Sequence, residues 1–391
     1  MKPTLRFNEF KEDWQTKSLS EIVSFSKGNL LSKADLDENG LYPCILYGQL
    51  YTKYHEVIRN VFSRTNNNAT NITRSKYGDI LIPSSGETPI DISTSSCVLL
   101  DNILLGGDIN VLSPLNCDGR FISYMINNNK RTEIAKVAQG HSVVHLYNDN
   151  LKQVNLNIPS YEEQEKIANT LELIDKKIEL QSKKIEDLKL FKLKIFDELT
   201  KNITEFKKIG EIGTLKNGYA FKNNKYDENG VYNILTISNV NGDKYISTSF
   251  KNKYSDIPSD IQKHQILKFE DILISLTGNV GRVSYNIGEN NLLNQRVGLL
   301  ELNDSEIKQY IFYIINNVKF ENEMINCGQG AAQLNISKYD VENYSVPYPP
   351  KEQQIKISKI LDCISKKIQL EKNKLDKLSE LKKGFMQNMF V

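Results

Sequence analysis

Ile158-Pro159-Ser160-Tyr161-Glu162-Glu163-Gln164 recurs, at a shift of 190, as Tyr348-Pro349-Pro350-Lys351-Glu352-Gln353-Gln354, and both stretches share one plan, a proline followed by a Glu-x-Gln step. The same shift superposes Leu19-Ser20-Glu21-Ile22 on Ile209-Gly210-Glu211-Ile212, and Gln139-Gly140 on Gln329-Gly330. A repeat of this length is too long for a solenoid. The chain is therefore predicted to be a tandem duplication of one domain, each copy followed by one appended segment.

Each copy carries the same series of predicted elements. Residues 78–82, Gly-Asp-Ile-Leu-Ile, match residues 270–274, Glu-Asp-Ile-Leu-Ile, and within these stretches the runs 80–82 and 271–275 predict short strands. A helical pattern follows over residues 121–137 and 307–325, and one last strand ends at Pro159 or Pro349. This order predicts an α/β (α+β) fold.

The appended segments predict long helices. Neither contains a proline, and each can form a helix of about 38 residues, roughly 57 Å long. The apolar positions keep the 4-3 spacing of a coiled-coil seam, interrupted in both copies at Gln181 with Glu371 and at Lys192 with Lys382. The predicted seam residues are Ile167, Leu171, Ile174, Ile178, Ile185 and Leu188, and Ile357, Leu361, Ile364, Ile368, Leu375 and Leu378. Two separate core helices are the simpler alternative, but antiparallel pairing would cover both seams.

These patterns predict four segments: a globular domain over residues 1–160, a spacer helix over 161–204, a second globular domain over 205–350 and a second spacer helix over 351–391. Charge is distributed unevenly among them. Residues 1–160 carry 16 basic and 16 acidic side chains and residues 205–350 carry 15 and 17, whereas residues 351–391 carry 10 and 5. Because phosphate neutralisation dominates affinity for DNA, the globular domains are expected to bind DNA only weakly by themselves.

Composition favours a cytoplasmic protein. No apolar run reaches the 18 to 20 or so residues that a membrane-spanning helix needs, and the N-terminus shows no secretory signal. The five cysteines are scattered, which is typical of reduced thiols and not of a disulfide framework.

The usual signatures of catalysis are absent from the sequence. There is no Gly-x-x-x-x-Gly-Lys-Ser/Thr phosphate loop and no Asn-Pro-Pro-aromatic stretch of adenine methylation. His141 and His145 have a spacing that would suit zinc on a helix, but Ala331 and Asn335 occupy the matching positions of the second copy. We therefore expect no catalytic residue and no metal in this chain.

Both copies do carry polar loops punctuated by glycine at corresponding places. Glycine lets backbone amides approach DNA closely, and Ser, Thr, Asn, Gln and Arg supply donors for phosphates and base edges. Surface turns without a DNA role are the alternative interpretation, weakened by the recurrence of the loops. The candidate DNA-contact residues are Lys27, Ser84, Ser85, Gly86, Thr88, Gln139, Gly140 and His141 in the first copy, and Lys216, Asn217, Thr277, Gly278, Asn279, Arg282, Gln329, Gly330 and Gln333 in the second.

In the order of these features the chain resembles the DNA-specificity subunits of type I restriction-modification enzymes. The likeness is carried by the runs at 78–82 and 270–274, the Gln-Gly turns at 139 and 329, and the Pro and Glu-x-Gln steps before the long helices. It spans essentially the whole chain, duplication included.

The resemblance implies that each globular copy is a target-recognition domain for one half of a split double-stranded DNA sequence, with the paired helices as spacer. It also implies two modification subunits that carry S-adenosylmethionine, and two restriction subunits that use ATP and Mg²⁺. The chain itself would be non-catalytic. A duplicated coiled-coil scaffold, a DNA-binding regulator without such partners, and a single-chain enzyme are the alternatives.

Overall fold

The computed structural model describes residues 2–140, 143–328 and 334–390. The chain forms two compact units, Met1–Ser182 with Lys374–Val391, and Lys183–Asn373. Each unit contains one globular half together with a part of both long helices.

The first unit contains twelve short strands in its described part: β1 (Gln15–Ser18), β2 (Val23–Lys27), β3 (Tyr42–Ile45), β4 (Val57–Ile58), β5 (Ser63–Thr65), β6 (Ile80–Pro83), β7 (Ser85–Gly86), β8 (Ser96–Val98), β9 (Leu104–Leu105), β10 (Ile109–Pro114), β11 (Val144–His145) and β12 (Asn155–Ile158). The main sheet has the order β2-β10-β6-β8-β4, and a smaller sheet has the order β5-β3-β9. The predicted strand over 80–82 is confirmed as β6, which extends to Pro83 and has all four residues buried.

The α-helices of this part are α1 (Leu19–Ile22), α2 (Tyr47–Leu50), α3 (Pro89–Ile92), α4 (Gly119–Met125), α5 (Arg131–Val137) and α6 (Asn148–Lys152). The long α7 (Tyr161–Thr200) begins in the first unit, and its residues from Lys183 onwards belong to the second. A π-helical turn over Ile126–Lys130 joins α4 to α5, so the predicted helix over 121–137 is one helical segment with an irregular middle.

The second unit repeats this arrangement. Its described strands are β13 (Phe206–Lys208), β14 (Gly213–Asn217), β15 (Tyr232–Leu235), β16 (Lys253–Tyr254), β17 (Ile272–Ser275), β18 (Val283–Tyr285), β19 (Asn291–Leu293), β20 (Val297–Leu302) and β21 (Ser345–Pro347). The main sheet has the order β14-β20-β17-β18, matching β2-β10-β6-β8, and a smaller sheet has the order β16-β15-β19.

The α-helices of the second unit are α8 (Ile209–Ile212), α9 (Lys308–Ile315), α10 (Val318–Cys327) and α11 (Lys338–Asn343). The long α12 (Lys351–Met389) begins in the second unit, and its residues from Lys374 onwards belong to the first. The prediction of one helix over 307–325 is wrong. Asn317 leaves the helical conformation, and its side chain accepts hydrogen bonds from the amides of Lys319 and Phe320. Asn317 thereby caps a new helix, because an asparagine oxygen satisfies amides that have no partner within the first turn.

The repeated Glu-x-Gln step starts both long helices in the same way. The side-chain amides of Gln164 and Gln354 are buried and donate to the carbonyls of Pro159 and Pro349, at 3.0 and 2.8 Å. In the first unit the Gln164 Oε1 also accepts from the amide of Asp118, at 3.0 Å. Each glutamine therefore ties the start of its helix to the end of the preceding strand.

The two long helices are antiparallel, as predicted. Lys382 contacts Asp175 at 2.8 Å, and Lys184 contacts Glu371 at 3.1 Å. Asp175 comes before Lys184 on α7, whereas their partners on α12 come in the reverse order, Lys382 after Glu371. The two helices therefore run in opposite directions.

The coiled-coil seam is also part of each globular core. Ile167 and Leu171 share one core with Trp14, Phe121 and Phe390. In the second unit, Ile357 and Leu361 share one core with the aromatic residues of α9. Of the predicted seam, Ile174, Ile185 and Ile368 are also buried, while Ile178, Leu188, Ile364, Leu375 and Leu378 are half-buried. The start of each long helix therefore belongs both to a globular core and to the seam. The helices are core helices and members of a coiled coil at the same time.

Candidate nucleic-acid interface

The main sheet of the first unit brings three chain segments to one end. The antiparallel register pairs Asn110 with Lys27 and Ile109 with Pro83. The carboxyl ends of β2 and β6 therefore lie beside the start of β10. We call this end of the sheet, with the loops that leave it, the loop end.

The second unit has a loop end built in the same way. Gly298 pairs with Asn217, and Val297 pairs with Ser275, so β14 and β17 end where β20 begins. The candidate residues Lys27, Lys216 and Asn217 all belong to these strand ends. Strand pairing thus places side chains that are far apart in the sequence on one side of each unit.

A repeated glycine permits the close approach of backbones there. A Cβ atom on Gly28 would lie 2.0 Å from the carbonyl oxygen of Gly106, and one on Gly218 would lie 2.2 Å from that of Asn294. Real Cβ atoms do not come so close to a carbonyl oxygen, so any larger residue would push the two segments apart. The glycine that recurs at a shift of 190 is therefore a requirement of the loop end.

In the first unit the two predicted polar loops form one structure. Strand β7 pairs with β11, placing Ser85 opposite His145. Gln139 and His145 exchange backbone hydrogen bonds of 2.9 and 2.7 Å, and the amide of Leu146 donates to the carbonyl of Ser84 at 3.0 Å. The loops that share only composition in the sequence are thus hydrogen-bonded neighbours.

The second unit repeats this junction with different side chains. Thr277 forms a bridge with Asn335, and the amide of Ile336 donates to the carbonyl of Leu276 at 2.9 Å. Gly278 and Gly281 have φ values of +74° and +76°, which favour glycine. The described ends of the two predicted loops therefore meet in both units.

Exposure separates the candidate residues of the first unit. Lys27, Thr88, Gln139 and Gly140 are exposed. Ser84 and Ser85 are only 6% and 5% exposed, and Gly86 is buried, so these three residues support the loop from inside. Thr88 caps α3 by accepting a hydrogen bond from the amide of Asp91 at 3.2 Å.

In the second unit, Asn217 and Asn279 are exposed and Thr277 and Gly278 are half-buried. Lys216 lies 3.5 Å from Glu301. The guanidinium of Arg282 is held by Glu321 of α10, with Nε 3.2 Å from Oε1. Arg282 therefore does not present a free guanidinium at this loop. His141, Gln329, Gly330 and Gln333 lie outside the described residues.

The structure adds residues that the sequence reasoning did not select. His145 and Tyr147 stack with ring centroids 6.1 Å apart, and the Lys27 ammonium lies 5.6 Å from the centroid of the Tyr147 ring. Tyr147 is 46% exposed. The Lys27 ammonium and the Tyr147 hydroxyl are both donors of the kind that contact phosphates of duplex DNA.

The second unit offers Gln295 and Arg296 at its loop end. Both are exposed, and the carbonyl of Arg296 accepts from the amide of Leu276 at 3.0 Å, next to the candidate Thr277. No carboxylate pairs with Arg296 among the residues that the structure describes. Matching Leu292-Leu293-Asn294-Gln295-Arg296 to Leu104-Leu105-Gly106-Gly107-Asp108 would have revealed this loop, since both follow the same Leu-Leu pair.

Other kinds of site find no support in the described part of the chain. It holds no group of three or more His, Cys, Asp or Glu residues arranged for a metal ion. Within the same residues, no helix combines the length and the apolarity needed to cross a membrane. Cys44, Cys97 and Cys117 are buried free thiols, and Cys327 and Cys363 are exposed ones.

Comparison with known proteins identifies the family. The chain matches the type I restriction modification DNA specificity domain twice, over residues 11–190 and 203–380. It is 24% identical to the type I restriction enzyme MjaVIII specificity subunit of Methanocaldococcus jannaschii, over 96% of this chain and 91% of the relative. The putative type I restriction enzyme MjaX specificity subunit of the same organism is 26% identical, over 97% of this chain and 93% of the relative.

A solved structure shows the same fold. The S subunit of a type I restriction-modification system from M. genitalium superposes with a TM-score of 0.66 at 17% identity, covering 100% of this chain and 99% of that one. The chain belongs to the family of type I restriction-modification DNA specificity subunits and carries two copies of the family domain. Its function is recognition of a DNA target, and it is not itself an enzyme.

Proposed function

We propose that each globular half reads one half of a split double-stranded DNA target through its loop end. The observation that carries this proposal is the recurrence of one junction, Ser85 with His145 and Thr277 with Asn335, in both units. The backbone geometry is repeated while the side chains differ. Two domains with the same backbone geometry and different side chains suit a DNA target with two different half-sites.

The proposed contacts divide by chemistry. In the first half, Lys27, Gln139, Gly140, His145 and Tyr147 face the DNA, with Ser84, Ser85, Gly86 and Thr88 as the loop that carries them. In the second half, Asn217, Thr277, Gly278, Asn279, Gln295 and Arg296 do so. Arginine pairs well with guanine, and glutamine or asparagine with adenine, through two hydrogen bonds in the major groove. His141, Gln329, Gly330 and Gln333, outside the described residues, stay candidates from the sequence alone.

The domain plan follows from the same proposal. Residues 1–160 and 205–350 are the two target-recognition domains, and residues 161–204 and 351–391 are the spacer. A helix of 40 residues is about 60 Å long. That length exceeds the 34 to 36 Å or so that separates equivalent groove faces one helical turn apart.

Partner subunits supply what this chain lacks. The near balance of charge in the globular halves means that few phosphates are neutralised by this chain itself. We propose that two modification subunits with S-adenosylmethionine grip and methylate the DNA in the cytoplasm. Two restriction subunits with ATP and Mg²⁺ would complete the complex.

Methylation mapping tests the proposal. Cells that express the modification subunits with this chain should carry adenine methylation at a two-part sequence, and the double variant Thr277→Ala with Arg296→Ala should relax one part only. A loss spread evenly over all sequences would indicate a contact with the DNA backbone. An unchanged target would mean that the loop at Thr277 is a simple surface turn without a role in DNA recognition.

A further inference from the structure

The two lysines that interrupt the helical seams have opposite surroundings. Lys382 and Lys192 match each other at the shift of 190, and each lies over the ring of a buried tyrosine, Tyr124 at 5.6 Å and Tyr313 at 5.2 Å from the ring centroid. These tyrosines also match each other in the duplication. The pair therefore allows one position to be compared in two halves of the same chain.

In the first unit the lysine is fully paired. Lys382 Nζ lies 2.9 Å from Glu56 and 2.8 Å from Asp175. Burial opposes the charge of Lys382, but the two carboxylates outweigh that effect and raise its pKa. The first unit thus places two carboxylates around its seam lysine.

In the second unit both carboxylates are replaced. Ser365 matches Asp175 at the shift of 190. The strand pairing identifies the residue that replaces Glu56. In the first unit, the backbone carbonyl of Glu56 accepts a hydrogen bond from the amide of Cys97, which pairs with Ile80 in the sheet. In the second unit, the backbone carbonyl of Lys244 accepts from the amide of Tyr285, which pairs with Ile272, the counterpart of Ile80. Glu56 therefore corresponds to Lys244, a reversal of charge.

Lys192 consequently forms no ion pair with a carboxylate in the described part of the chain, although, against the larger effect of burial, the nearby charge of Asp243 acts to raise its pKa. Within those residues its Nζ donates to Oδ1 of Asn316, at 3.1 Å. The Asn316 amide is oriented by hydrogen bonds of 2.9 and 2.8 Å to the carbonyls of Gly242 and Val283. Nearby charges are already paired: Lys244 with Asp362, Arg282 with Glu321, and Lys372 with Asp243.

A cavity of about 500 Å³ lies beside Lys192. Apolar side chains of both long helices line it, including Leu193, Phe196 and Ile368, together with the amide of Gln369. Charged side chains line it as well: Lys189, Asp243, Lys244, Arg282 and Glu321. The buried Ser365 hydroxyl has no hydrogen-bond partner of normal geometry among the described residues, with the Tyr313 hydroxyl as its neighbour. Small-molecule sites commonly have volumes of about 300 to 1,000 Å³.

We propose that this cavity is a binding site for a carboxylate group, which pairs with Lys192 in the place that Glu56 and Asp175 fill in the other half of the chain. The carboxylate comes either from a free organic acid or from an acidic side chain of another protein, and Ser365 supplies a second donor. The proposal is independent of how the chain reads DNA.

Labelling of Lys192 tests this proposal in the full-length protein. Burial lowers the pKa of Lys192 to about 8, so at pH 8 about half of its amine is neutral and able to react. Reductive methylation followed by peptide mass spectrometry measures the reaction at Lys192, with the exposed Lys194 on the same helix as internal control. A bound carboxylate should raise the pKa of Lys192 and slow its labelling about threefold or more, relative to sodium chloride of equal ionic strength.

Two probes separate the sources of the carboxylate. Protection by succinate indicates a free organic acid, and protection by poly-L-glutamate alone indicates a protein side chain. The variant Ser365→Asp should slow labelling of Lys192 without any added probe, because it restores the carboxylate of the first half. If neither probe protects Lys192 at saturating concentration, the proposal is overturned.

Thermal unfolding provides a second measurement in case Lys192 reacts too slowly for its labelling to be followed. Succinate or poly-L-glutamate should raise the Tm of the wild-type chain by about 2 °C or more and leave that of Lys192→Met unchanged. An equal rise in both proteins, or none in either, would overturn the proposal equally.

Discussion

The hydroxyl of Thr277 donates a hydrogen bond to Oδ1 of Asn335 at 3.1 Å, across the bridge that joins the two loop segments of the second unit. Ser85 and His145 occupy the same bridge in the first unit. The two units thus keep the backbone of this junction and differ in its side chains, as we propose for two domains that read different DNA sequences.

Replacing Arg296 by alanine should change the recognised sequence in one half-site. A guanidinium that contacts a guanine is worth about 1 to 3 kcal/mol of discrimination, or roughly five- to 150-fold in preference. Methylation sequencing in cells would show a relaxed base in one half and the other half intact. Arg282→Ala is the matched control, since the Glu321 pair is about one third exposed and should contribute at most about 1 kcal/mol to stability. Equal relaxation by both variants would contradict the assignment of Arg296.

The seam lysines should respond oppositely to replacement by methionine. Lys382→Met leaves the carboxylates of Glu56 and Asp175 without their cation, and breaking a buried pair in this way costs about 3 to 5 kcal/mol. Lys192→Met removes a buried charge that forms no ion pair within the described chain, and should leave stability unchanged or raise it by about 1 kcal/mol. Urea unfolding of the two full-length variants measures the difference. Equal losses in both would show that Lys192 is paired as fully as Lys382.

Acid should weaken the second unit through Asp362. Burial would raise the pKa of this carboxyl, but hydrogen bonds from Lys244, Tyr313 and Lys366 outweigh it and lower the pKa from 3.8 to about 2. Because the folded pKa lies below the unfolded one, the stabilisation is complete above about pH 4 and is lost as the pH falls towards 2. Unfolding followed between pH 5 and pH 2 should show this loss in the wild type and a flatter profile in Asp362→Asn. Profiles of equal slope would mean that the carboxyl titrates normally.

Lengthening both long helices should change the gap between half-sites. Four residues form about one helical turn and add roughly 6 Å. Inserted after Ser182 and after Asn373, they should lengthen the preferred gap while both half-site sequences stay the same. Methylation sequencing of the double insertion reads the gap directly. An unchanged gap with normal methylation would refute the role of the helices as a ruler.

Much of the architecture could be predicted from the sequence because duplication shows each signal twice. Periodicity predicts the long helices and the apolar seams along them, and the apolar run at 80–82 predicts the strand there. The Glu-x-Gln step marks where both long helices begin. The break at Asn317 was missed, since an apolar pattern continues on both sides of it. The capping hydrogen bonds that cause the break depend on backbone geometry.

The candidate interface was only partly predictable. Composition identified the loops, but not that Ser84 and Ser85 turn inward or that Glu321 holds Arg282. Those outcomes depend on contacts between residues far apart in the chain. Arg296 and Tyr147 were missed because neither has a glycine signal beside it. The correspondence of Glu56 with Lys244 is visible only in the strand pairing.

Genome-wide mapping of adenine methylation, in cells holding the modification subunits with and without this chain, decides whether the chain selects a split DNA target. Methylation should occur at a two-part sequence with a constant gap and should disappear without the chain. Replacing Thr277 and Arg296 by alanine should change one part only. The same methylated sequence with and without the chain would show that another component selects the target. A continuous target altered throughout by those two substitutions would show that the two halves of the chain do not read separate half-sites.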